Sequence, residues 1–112
     1  MKVSFDGFDN GALTFMTAGN IERGTIVTVS DPGTVSPALE NDVPLGVVLN
    51  CDGAYACVGV RGVYTMPCDD SVSAGFMCLT TDSGGRLTEG IDGINRFVLD
   101  TDEAAGTAAV LL

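Results

Sequence analysis

The residues of this 112-residue chain most able to do chemistry are four cysteines, Cys51, Cys57, Cys68 and Cys78, and two acidic clusters, Asp69-Asp70 and Asp100-Thr101-Asp102-Glu103. Zinc sites use closely spaced thiolates, often completed by His, but no two cysteines here form a C-x-x-C pair and the sequence contains no His. Each Cys therefore reads as a reduced, half-buried small hydrophobe. The carboxylates are possible oxygen ligands for calcium, yet neither cluster has the calcium-loop spacing. Adjacent side chains also rarely converge as the acid and base of a glycosidase. They read as solvated loop residues. Without His, a Cys nucleophile lacks its usual base. Gly84-Gly85 sits in no phosphate-cradling glycine motif and reads as a turn. The expectation is a protein that is not an enzyme and holds no metal or cofactor.

The elements that would position such residues are strands. Val43 to Thr65 contains an apolar run, an Asp52-Gly53 pair and a second run rich in Val, Tyr and Thr. Asp-Gly between two β-prone runs predicts a hairpin, because Gly accepts the positive φ of a tight turn. With Asp52 and Gly53 as the turn, Cys51 faces Ala54, Asn50 faces Tyr55, Leu49 faces Ala56 and Val48 faces Cys57. Both faces of the second run are largely apolar, which suits a central strand covered on two sides. Gly59 and Gly62 in that run mark a bulge, a bend or the close approach of another group.

Similar patterns recur along the chain. Thr25 to Val29, Thr34 to Ser36, Phe76 to Thr80, Arg86 to Thr88, Arg96 to Leu99 and Thr107 to Leu112 read as strands, joined by the turns Asp31-Pro32-Gly33 and Asp82-Ser83-Gly84-Gly85 and by polar loops. No segment sustains helical periodicity. Laying Gly24-Thr25-Ile26-Val27 on Gly75-Phe76-Met77-Cys78 carries Asp31 onto Asp82 and Gly33 onto Gly84. Strand, turn and return strand thus recur in both halves, which could close as a small barrel or sandwich. The fold class read from the sequence is mainly β, a small antiparallel β-barrel or sandwich over residues 18–112 preceded by an extended N-terminal arm over residues 1–17. That arm carries Phe5, Phe8 and Phe15, which either anchor to another surface or cap the domain's own core.

Composition bounds the partners. Apolar residues make up 46% of the chain and charged ones 18%, well above the disordered regime. Fifteen acidic residues against five scattered basic ones give a formal charge of -10. Such a surface repels nucleic-acid phosphates and anionic membranes alike. No apolar run is long enough to span a bilayer, and the first residues lack the apolar core of a signal peptide. The expectation is manufacture in the cytosol.

Taken in order, Gly24-Thr25-Ile26-Val27-Thr28-Val29, Val43-Pro44-Leu45-Gly46-Val47-Val48, Asp52-Gly53-Ala54-Tyr55-Ala56-Cys57-Val58 and Arg61-Gly62-Val63-Tyr64 resemble the head decoration, or capsid cement, proteins of tailed bacteriophages. The Gly75 to Leu87 unit and the closing Gly106 to Leu112 strand fit the same pattern. The resemblance implies a non-enzymatic virion protein, made in the host cytoplasm, that binds the outer capsid surface, contacts the major capsid protein and forms a homotrimer there. It makes Phe5, Phe8 and Phe15 capsid-contact candidates and Arg61 and Arg96 candidates for salt bridges between subunits, against the plainer reading of both arginines as exposed strand charges. The competing readings are another phage virion or tail β module and a small ligand-binding β-barrel.

Overall fold

The computed structural model describes residues 11–112. Its strands are β1 (Gly11–Met16), β2 (Ile26–Asp31), β3 (Thr34–Pro37), β4 (Gly46–Cys51), β5 (Tyr55–Arg61), β6 (Val63–Pro67), β7 (Gly75–Thr81), β8 (Leu87–Glu89), β9 (Ile94–Asp102) and β10 (Thr107–Leu111). No helix occurs among the described residues.

The first five strands form a closed barrel in the order β1-β3-β2-β4-β5, and the last five form a sheet in the order β6-β10-β9-β7-β8. With β6 to β10 in the places of β1 to β5, the two orders are the same. The recurrence suggested by the Asp31 and Asp82 turns therefore extends to all five strands of each half. The seams match as well. In each half the first strand pairs antiparallel with the last, β1 with β5 and β6 with β10. Each then meets the third strand of its half through a single parallel pair, Met16 with Thr34 in the first half and Cys68, one residue beyond β6, with Leu87 in the second.

Alternation along the β2 and β4 wall makes it a partition. Val27 and Val48 point into the barrel with Val35, Ala56 and Val58, while Ile26 and Val47 point the other way, into a core with Met66, Met77, Leu79, Leu87, Val98 and Val110. Both faces of this wall are apolar because both are covered. Hydrogen bonds reinforce the junction: Thr81 Oγ1 donates to the Leu39 carbonyl at 2.6 Å. The Asn41 N–H donates to the Thr81 carbonyl at 2.9 Å, fixing the β3–β4 connection to β7.

The hairpin register differs from the two-residue turn. Cys51 pairs with Ala56, Asn50 with Cys57 and Val48 with Val58, with Leu49 bulged out of the ladder. The cause is the Asp52 side chain. Its Oδ1 accepts the N–H groups of Ala54 at 3.0 Å and Tyr55 at 2.8 Å, which widens the loop and leaves Val48 and Val58 on one inward face. The run from Ala54 to Thr65 is also two strands rather than one. Gly62, at φ 114°, bends the chain out of the barrel and into the second sheet. Met66 and Val72, between the Val43 to Thr65 hairpin and the Phe76 strand where the sequence leads one to expect a polar loop, are buried in the second core.

The N-terminal boundary moves as well. Residues 11–16, expected at the end of an arm, form β1, paired along its length with β5, and Phe15, opposite Ala56, packs on the barrel's apolar core.

Candidate functional site

Phe15 is half-buried and packs on the barrel core, so it caps its own domain. Phe5 and Phe8 lie outside the described residues. Arg61 is exposed at the end of β5, next to Gly11 across the ladder, and makes no ion pair among the described residues. Arg96 is half-buried in β9, in register with core-facing Met77; its Nη1 donates to the Asn95 carbonyl at 3.1 Å while its Nε is enclosed without a hydrogen-bond partner among the described residues. The fold places these two arginines in different halves and does not bring them together.

Tyr64 straps the halves together. Its ring lies where a Cβ on Gly59 would sit, and its hydroxyl donates to the Gly11 carbonyl at 3.1 Å. Burial pushes its phenol above the ordinary range, with a smaller contribution from Cys57. The neighbouring approach is tighter still: a Cβ on Gly46 would collide with the Gly59 carbonyl oxygen. Gly59 is therefore where the barrel and the second sheet meet with only the Tyr64 ring between them, and Gly46 where neighbouring strands of the barrel come too close for a side chain.

The cysteines are unpaired, and among the described residues no group of three His, Cys, Asp or Glu side chains is arranged to hold a metal ion. Cys68 is buried, and desolvation raises its thiol pKa, with nearby Asp69 adding to the effect. Cys51 accepts the Ile21 N–H at 3.4 Å, and backbone donors, first Gly53 and then Ile21, lower its pKa. The acidic clusters have structural partners. Burial works to raise the Asp69 carboxyl, but hydrogen bonds from Ser71 and Thr88 outweigh it and hold the group below the usual range. Its Oδ1 accepts the Ser71 hydroxyl at 2.6 Å and the Ser71 N–H at 2.9 Å.

The surface feature that stands out is the outer face of the second sheet. Met66, Met77, Val98, Ala108 and Val110 enter the core. Alternation then turns Phe76, Phe97 and Leu111 to the opposite side, and register places these three in one row. The rings of Phe76 and Phe97 stack at 4.9 Å between centroids, tilted by 51°. They remain 63% and 52% exposed. Further along β9 the ladder is bulged at Leu99, so that Asp100 and Asp102 stand opposite Ala109 and Thr107 on that same outer face. Together with Thr65 and Glu103 they line an open depression of about 530 Å³. One face thus runs from an aromatic pair to a group of carboxylates. Alternation in β7 and β9 turns Phe76 and Phe97 outward, but only the cross-strand register reveals that they touch.

No protein-family model matches the chain, and no curated protein matches it in sequence. A solved structure does match in fold: the N base of the head fiber gp8.5 of bacteriophage phi29, at 15% sequence identity and a TM-score of 0.61, covering 93% of this chain and 94% of that one. The closed barrel and its partner sheet are, as a fold, similar to that of a fiber base from a phage head.

Proposed function

We propose that this protein is a non-enzymatic structural component of a phage head, docking on the outer capsid surface, contacting the major capsid protein and reinforcing its lattice. The observation that carries the reading is the near end-to-end fold match to a phage head fiber base. The order of motifs in the sequence supports the same reading. A domain that binds assembled shells and not dissociated subunits stabilises the shell by mass action. Three copies around one axis would let individually modest contacts hold firmly, so a homotrimer on the capsid belongs to the proposal, with assembly following synthesis in the host cytoplasm.

The test is co-sedimentation of the purified protein with expanded heads that lack it, alongside a version beginning at Gly11. That version removes Phe5 and Phe8 and leaves β1 intact, whereas a cut at Ala18 would remove a barrel strand. Saturable binding with a raised temperature of head disruption is the expected result. Loss of binding in the shortened chain assigns contact to Phe5 and Phe8, and equal binding moves it elsewhere. Absence of binding by the full chain overturns the proposal. The head fiber neighbour favours one second reading, a head-bound base for a projecting appendage, which predicts binding without added heat resistance.

A further inference from the structure

We propose that the outer face of the second sheet, from Phe76 and Phe97 to Asp102 and Glu103, is a docking surface for a partner-protein segment presenting apolar side chains followed by lysine or arginine. The inference rests on the head-protein reading and names the contact that the reading requires. Two stacked, half-exposed aromatic rings carry a large apolar area on a rigid sheet, the residue type that anchors interfaces. The bulge at Leu99 keeps the acidic positions that follow on the same side as the rings. The face therefore specifies an order of chemistry, apolar and then cationic, within the length of one strand.

Charge separates this occupant from a second copy of the chain. Arg96 is the one basic residue within β6, β7, β9 and β10, and it is in register with a core-facing residue. Two such faces laid together in parallel set carboxylates against carboxylates; laid antiparallel, they set both carboxylate groups against aromatic rings. Neither arrangement offers the acidic end a cation.

The experiment compares four full-length proteins in co-sedimentation with heads lacking the protein, with thermal melting of each: wild type, Phe76→Ser with Phe97→Ser, Phe76→Leu with Phe97→Leu, and Asp102→Asn with Glu103→Gln. The serine pair is expected to bind at least about tenfold more weakly, the leucine pair to keep part of that loss, and the amide pair to weaken binding by about threefold and flatten its salt dependence. If the serine pair melts below the assay temperature, the leucine and amide pairs decide. Wild-type affinity in the variants overturns this face while leaving the head reading intact. Failure of the wild type to bind overturns both. Sedimentation of the free protein as an oligomer that the serine pair dissolves also overturns the proposal, in favour of a second copy.

Discussion

The two halves share a strand order and the same backbone seams, and differ in what braces the weaker one. In each half the first strand is paired with the last along its length and meets the third through one parallel pair. In the second half the β6–β7 loop adds a further backbone bond and the Ser71 side chain to that weaker seam. There the Asp69 N–H donates to the Leu87 carbonyl at 2.9 Å and the Glu89 N–H donates to Ser71 Oγ at 2.9 Å, which satisfies the β8 edge and removes a pairing template. A seam of backbone pairs depends little on which residues supply it, whereas the Ser71 hydroxyl, held by Asp69, makes the brace on the second one depend on those residues and on pH.

The largest effect that would sharpen this contrast is in the closed half. Gly46→Ala drives a Cβ into the Gly59 carbonyl, a backbone atom that moves only if the β4–β5 ladder moves. A loss of about 3 kcal/mol is expected in urea unfolding, and a loss below about 1 kcal/mol would mean the two strands are not held this close. Next is Ser71→Ala in the open half. It removes the acceptor for Glu89 N–H and the donor to Asp69 while leaving both cores intact, and a loss of about 1 kcal/mol is expected. Amide exchange should quicken at Glu89 and not in β1. Equal quickening in both halves would erase the distinction between the seams.

The smallest effect is acid sensitivity. Asp69 has a folded-state pKa below its ordinary 3.8, so its contribution to stability is present above that value and is lost as pH falls through the lowered folded value. Asp52, held low by the N–H groups of Tyr55 and Ala54, follows the same sign in the closed half, but it fixes a hairpin loop and not a seam. On acidification below about pH 4 the amide of Ser71 is expected to lose protection before any amide of β1, as followed by NMR. Simultaneous loss would show the closed half to be equally dependent on carboxylates.

Much of the architecture was legible in the sequence because it is written locally. Asp31-Pro32-Gly33 and Asp82 to Gly85 announce turns by their own chemistry, and β2, β3, β7, β9 and β10 follow from branched and apolar residues around them. The register of the central hairpin is not legible in the same way, because it is decided by where one side chain, Asp52, sends its oxygen. The break at Gly62 and the bare patch at Gly59 make sense only once Tyr64 is seen across the barrel wall, a contact no local pattern encodes. Local pattern places Phe15 in an arm because its partners, Ala56 and neighbouring core residues, lie about forty positions away. The aromatic pair was invisible for a related reason: Phe76 and Phe97 become neighbours only through the β7–β9 register.

The partition formed by β2 and β4 also bears on how this molecule comes apart. Val27 and Val48 belong to one core and Ile26 and Val47 to the other, so melting either half strips one side of a wall the other half needs. Two halves with separate walls could lose order one at a time; two that share a wall are expected to do so together. A single calorimetric transition, with calorimetric and van't Hoff enthalpies in agreement, is the thermodynamic mark of that shared wall.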